Sequence, residues 1–156
     1  DYADLYGFTR ALSQAGYLDE YEDAAVGGYD LEETRYGDTA PILVNGGSGK
    51  LSVYARAQPG NPNAPLVLHL VESDKPKAAI LVLNKAAATQ LSADEVDCQL
   101  LMPTAYKRVD HEQAQSSQNY SALTDSIPIT PHHKSDNLEF DIPPVMPWAV
   151  LIITPQ

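Results

Sequence analysis

The sequence predicts an all-β fold: a two-sheet antiparallel β-sandwich of Greek-key or jelly-roll type, preceded by a short N-terminal helix. Three observations predict it. Eight short apolar or alternating runs recur at near-regular spacing, at residues 42–44, 51–57, 66–71, 78–83, 99–102, 126–130, 138–142 and 148–153. Clusters rich in Gly, Pro, Asn and Ser separate the early runs, the pattern of short strands joined by turns. In the second run Leu51, Val53, Ala55 and Ala57 alternate with Ser52, Tyr54, Arg56 and Gln58, the period of two of a strand with one wet face. A closed barrel is the alternative arrangement of the same strands.

Taken in order, Leu5, Phe8, Ala11, Leu12 and Ala15 fall at helical spacing, with Asp4 near the start as cap or dipole partner and Gly16 placed as a stop. Residues 17–38 are rich in Tyr, Asp, Glu and Gly and carry only a weak apolar pattern at Ala24, Ala25 and Val26, which predicts irregular structure packed on something else. Residues 1–38 hold ten acidic side chains against Arg10 and Arg35, whereas the remaining 118 hold eleven acidic and eight basic ones. That shift divides the chain into an N-terminal helix with an acidic, Tyr-rich linker (1–38) and a sandwich domain (39–156).

Beyond residue 41 the punctuation is regular. Residues 42–44 end in Asn45, Gly46, Gly47, Ser48 and Gly49, read as a hairpin turn into the alternating strand. Pro59, Gly60, Asn61, Pro62 and Asn63 break that strand and return it to residues 66–71, apolar at every position but His69, as suits a strand covered on both faces. Residues 73–77 form another turn before 78–83, and Ser92 with Glu95 three residues on reads as a capped helical turn. Residues 107–120 are polar and read as a long loop. Pro128, Pro131, Pro143, Pro144 and Pro147 frame the last strands, where a missing N–H does no harm.

At 156 residues the chain fits one domain able to bury about two-thirds of its unfolded surface. Its single cysteine, Cys98, cannot pair within the chain and reads as a small apolar strand residue. No stretch approaches the ~20 apolar residues of a membrane span, and DYADLYG is no signal segment, so the expectation is a soluble chain that lacks a leader or is a piece of something longer. The net charge of −11 disfavours nucleic acid and anionic membranes as partners.

Catalytic motifs are missing. GGSGK at residues 46–50 lacks the spacing of a phosphate loop and precedes a strand. His132 and His133 are adjacent, so in an extended chain they point to opposite sides, and they read as a solvated loop pair; His111 reads as exposed. His69 reads as a sheet-face histidine with one hydrogen bond, since no serine or cysteine has the context of a nucleophile. Asp19, Glu20, Glu22 and Asp23 could supply an acid–base pair or bind calcium, but they lack a rigid frame and the DxDxDG spacing. A solvated acidic face is the plainer reading. No catalytic residue, metal site or cofactor is therefore assigned, calcium being the one metal these oxygen ligands would suit.

Sugar recognition needs flat aromatic faces and planar polar groups. Tyr54 and Arg56 share the wet face of the alternating strand, His69 on the neighbouring strand can join them, and Tyr36 and Trp148 are further aromatic candidates, with Tyr106 and Tyr120 also at strand edges or loops. The segment YEDAAVGGYDL, the strand LSVYARAQ, the run APLVLHLVE and the closing PPVMPWAVLIITP together resemble the tail of certain glycoside hydrolases. There a (β/α)₈ catalytic barrel is followed by a Greek-key β-sandwich, as in the agarase and porphyranase family 86 and the dextranase family 66. The resemblance implies that residues 1–38 correspond to the last barrel helix and linker. The barrel that carries the catalytic carboxylates has no counterpart here, so no catalytic role is carried over. It implies a secreted, non-catalytic carbohydrate-binding module of a polysaccharide-degrading enzyme, with a marine galactan such as agarose or porphyran as ligand and the parent catalytic domain as partner. Arg56 could then pair with a sulfate. The alternative is a structural sandwich that packs on the barrel and has no ligand of its own.

Overall fold

The computed structural model describes residues 2–29, 40–85, 95–145 and 147–156. Tyr36 and the turn expected from Ser92 lie outside the described residues. Among those described, strands β1 (Glu22–Gly28), β2 (Ile42–Gly46), β3 (Leu51–Ala57), β4 (Leu66–Glu72), β5 (Ala79–Asn84), β6 (Val96–Pro103), β7 (Thr124–Pro128), β8 (His132–Lys134), β9 (Asn137–Ile142) and β10 (Trp148–Pro155) accompany helices α1 (Tyr2–Gln14) and α2 (Arg108–Ser117). The strands form two antiparallel sheets, ordered β1-β3-β4-β10-β6-β7 and β2-β5-β9-β8. This is the all-β sandwich with an N-terminal helix that the sequence predicts.

The alternation in β3 decides which way the sandwich closes. Leu51, Val53 and Ala55 turn inward, with Leu66, Leu68 and Leu70 of β4 and Ala149, Leu151 and Ile153 of β10. They meet Leu81, Leu83, Leu138, Phe140 and Ile142 of the four-stranded sheet in one core. Cys98 is buried in that core, and burial, with Asp97 second, pushes its thiol up to about 12.

The other face of β4 and β10 is apolar as well because α1 lies across it. Phe8 and Leu12 pack on Val67, Val150 and Ile152, all buried, with Tyr21 sealing the border through a hydroxyl that donates to the Pro65 carbonyl at 2.8 Å. The hydrophobicity of residues 66–71, broken only at His69, is thus the signature of a strand covered by a sheet on one side and, over Val67, by a helix on the other. Among the described residues no helix is long and apolar enough to cross a membrane.

Four expectations are corrected. Residues 22–28, expected irregular, form edge strand β1, paired with β3 from Glu22↔Ala57 to Gly28↔Ser52 around a bulge between Asp23 and Ala25. An edge strand is held by its backbone ladder on one side and needs little apolar patterning, so its signal was weak. Residues 107–120, expected to be a loop, contain α2, whose only buried residue is Ala114. Its polar composition hid it, although residues 107–120 hold no Gly or Pro and Arg108 and Glu112 form an i,i+4 pair at 2.8 Å. The glycine turn after β2 does not make a hairpin: β2 pairs with β5, so residues 47–50 carry the chain from one sheet to the other. Positive φ at Gly46, Gly47 and Gly49 allows that change of direction. The pair His132 and His133 is exposed, as expected, but lies in the short edge strand β8 instead of a loop.

Close approach of the two sheets at β1 requires a glycine. A Cβ on Gly27 would lie 2.5 Å from the Ile42 carbonyl oxygen and 2.6 Å from the Ile42 Cβ, so backbone must move. Gly27→Ala is expected to lower the urea-unfolding free energy by about 1–3 kcal/mol, while Ala24→Ser on the exposed part of the same strand leaves it nearly unchanged. The Cys98 thiol is expected to resist a disulfide reagent at pH 8 in the native protein and to react once urea unfolds it; rapid native labelling would contradict its burial.

Candidate functional site

The helix covers only part of the six-stranded sheet. Beyond its edge, toward β1 and β3, the outer face is wet, and there Tyr54 stands directly opposite His69 in the β3–β4 register. Arg56, two residues along β3, points to the same face, and Asp23 comes from β1, where it pairs with Arg56. Together with Leu18 these side chains line an open depression of about 430 Å³. The Tyr54 ring is 39% exposed.

Arg56 is held on two sides. Its Nη2 donates to the Tyr21 carbonyl at 2.7 Å, and its Nη1 lies 3.3 Å from Asp23 Oδ1. The pair is solvent-exposed on the Asp23 side and contributes little stability by itself. It does place an acceptor beside the guanidinium. A sulfate on Arg56, as the sequence suggested, would have to displace Asp23; the pair suits the hydroxyls of an uncharged sugar better, with one donor group and one acceptor group side by side.

Trp148, at the start of β10, is half-buried between Phe8 of the helix and His69 of the depression. Its ring meets Phe8 of α1 edge-on at 4.8 Å between centroids, and on its other side stacks with His69 at 5.7 Å. Trp148 Nε1–H donates to His69 Nδ1 at 3.1 Å. An accepting Nδ1 carries no proton, so the neutral ring bears its hydrogen on Nε2, the donor His69 can offer a ligand. Burial, and then the Arg56 guanidinium, hold the imidazole below its ordinary value of 6.5. Trp148 thus orients His69 from behind the site instead of forming an open stacking surface.

The structure therefore brings Tyr54, Arg56 and His69 to one depression with Trp148 behind them; Tyr36 lies outside the described residues. Asp19, Glu20, Glu22 and Asp23 are exposed, and among the described residues no three or more His, Cys, Asp or Glu side chains are grouped to hold a metal ion. Asp23 and Leu18 were not read as site residues. Nothing in the local sequence points to them, because β1 and the turn before it reach the site only through tertiary pairing.

A second depression, of about 280 Å³, brings together two of the aromatic candidates, Tyr106 and Tyr120, with residues the sequence did not connect to them. It lies where α1 meets α2 and the 3₁₀ turn at Ser121–Leu123, and Tyr6, Arg10, Tyr106, His111, Gln115 and Tyr120 line it. His111, expected exposed, is half-buried beside Tyr106 at 4.7 Å between ring centroids.

No family model matches the chain, and no curated protein matches its sequence.

The His69 geometry predicts a pH response. Below pH 6.5 the unfolded chain takes up a proton that the folded chain resists, so the stability that neutral His69 contributes is present above that pH and is lost as pH falls. Protonation of Nδ1 would also break the Trp148 hydrogen bond. The urea midpoint is expected to fall between pH 7 and pH 5, and to fall less in His69→Gln, whose amide oxygen can still accept from Trp148. Equal pH slopes in the two proteins would rule this out.

Proposed function

We propose that the chain is a non-catalytic carbohydrate-binding module of a secreted polysaccharide-degrading glycoside hydrolase, taking a galactan unit of agarose or porphyran type in the β3–β4 depression. One observation carries the reading: an exposed tyrosine face, a neutral imidazole donor and a compensated Arg–Asp pair converge on one open surface. The Tyr54 ring would meet the apolar face of a pyranose, Arg56 and His69 Nε2 would donate to ring hydroxyls, and Asp23 would accept from them. Such contacts bind without cleaving a bond. The identity of the sugar rests on the likeness of VLHL at residues 67–70 and PWAV at residues 147–150 to the sandwich tails of those hydrolases. Trp148 and His69, which carry that likeness, adjoin the depression.

Affinity electrophoresis of the chain in gels containing agarose, porphyran, dextran or cellulose tests the reading. Retardation is expected on a galactan gel. Tyr54→Ala is expected to weaken it about fivefold to tenfold, as losing an aromatic contact worth about 1 kcal/mol would do. Migration unchanged on all four gels would leave a structural sandwich that packs on a catalytic barrel without a ligand. Release of reducing ends by the pure protein would overturn the non-catalytic assignment.

A further inference from the structure

The depression between α1 and α2 differs chemically from the one on the sheet. At its centre is Arg10, whose guanidinium carbon lies 5.0 Å from the Tyr120 ring centroid and 5.6 Å from that of Tyr6, one turn earlier on α1. Its Nη2 donates to the Tyr120 hydroxyl at 3.3 Å. Tyr120 is buried and anchored to α1, its backbone N–H donating to Gln14 Oε1 at 2.8 Å, so the ring that orients Arg10 is fixed to the helix that carries Arg10. Gly7 permits this closeness: a Cβ there would lie 2.7 Å from Leu123 Cδ1 and 2.8 Å from His111 Cε1.

Among the described residues the lining contains no carboxylate, in a chain with 21 acidic residues and a net charge of −11. The acids nearest in sequence on α2 are directed elsewhere. Glu112 pairs with Arg108 at 2.8 Å, and Asp110 lines a different depression with Gln113 and Asn119. Among the described residues no ion pair forms at Arg10, whereas Arg56 is compensated by Asp23. Since the Debye length in physiological salt is about 8 Å, charges farther off are largely screened, and Arg10 is the only Lys, Arg, Asp or Glu among the described lining residues. Two exposed tyrosines share the groove with the cation, Tyr6 at 62% and Tyr106 at 44%. A planar fork with free donors beside exposed aromatic faces suits a sugar ring that carries an anionic group.

We infer that the α1–α2 groove is a second saccharide subsite, in which Arg10 binds the sulfate or carboxylate of a charged pyranose while Tyr6 or Tyr106 supports its ring. This rests on the reading that the ligand is a saccharide, but not on the β3–β4 depression. Sulfate ester and uronate share the anionic group that the guanidinium recognises, so each forms one arm of the test.

The experiment is calorimetric titration of the full chain at about 0.15 M salt with a sulfated galactan oligosaccharide, its desulfated counterpart, a galacturonate oligosaccharide and inorganic sulfate. At least one charged oligosaccharide is expected to bind about tenfold more tightly than the desulfated one, the scale of a charge-assisted hydrogen-bond pair near solvent. Arg10→Gln is expected to abolish that preference. Arg108→Gln, which removes the same charge from the neighbouring helix outside the groove, is expected to retain it. Tyr106→Ala, at an exposed ring whose neighbour is His111, is expected to weaken the charged ligand with Arg10 left in place, and so guards against a folding defect in Arg10→Gln. Equal binding of charged and uncharged oligosaccharides, a preference that survives Arg10→Gln, or equal losses in Arg10→Gln and Arg108→Gln would each overturn the inference. Inorganic sulfate binding as tightly as the sulfated oligosaccharide would overturn the saccharide subsite in favour of a simple anion site. The sheet site is read separately: Tyr54→Ala is expected to lower affinity for the uncharged oligosaccharide, and a Tyr54→Ala chain that binds it normally counts only against the β3–β4 reading.

Discussion

The position of β10 between β4 and β6 is the constraint on which the structure depends. It pairs with β4 from Trp148↔Val71 to Ile153↔Leu66 and with β6 from Val150↔Leu101 to Pro155↔Val96, so it joins two parts of the six-stranded sheet. Its side chains serve two interfaces at once. Ala149, Leu151 and Ile153 enter the core between the sheets, while Val150 and Ile152 lie under α1. A strand buried this way on both faces can tolerate a polar side chain only near its ends, and its one amphipathic aromatic, Trp148, stands at its first position.

The candidate sugar site follows from where α1 stops covering the sheet. Phe8 and Leu12 keep water from the β4–β10 ladder, and the wet remainder of the same face presents Tyr54 and Arg56. Trp148 stands at that border with one face of its surroundings apolar and the other polar. It packs edge-on against Phe8 and donates to His69. The interaction that seals the helix to the sheet therefore also sets the tautomer of the histidine beside the depression. Residues 2–14 are part of the fold's covering layer, and the site depends on them through Trp148.

The two depressions also illustrate that net charge is a poor guide to local recognition. The chain is strongly acidic, yet one depression holds an Arg–Asp pair and the other an arginine flanked by tyrosines with no acid among the described residues of its lining. Long-range repulsion of anions by the whole chain is screened in salt, whereas a guanidinium at hydrogen-bond distance is not. The aromatic rings matter in both places because they exclude water beside the polar groups without competing for their hydrogen bonds.

What the sequence determined by itself were the properties that one strand or helix encodes alone. The alternation of residues 51–57 set which side chains of β3 face water, the Pro59–Asn63 turn set the β3–β4 hairpin, and the apolar spacing from Leu5 to Ala15 set α1. Tyr54, Arg56 and His69 were legible as neighbours for that reason: hairpin register follows from a local turn. The partner of β2, the edge strand β1, the helix α2, the contribution of Asp23 and the whole α1–α2 groove were decided only by tertiary structure. Each depends on elements far apart in the chain, joined by backbone ladders or a few small contacts such as Gly27 against Ile42 and Gly7 against Leu123, which leave no periodic trace in the residues themselves. Arg10 is the clearest case. In the sequence it is one cation on the polar face of a short helix, and it becomes a distinctive group only when Tyr120, 110 residues away, is brought against it.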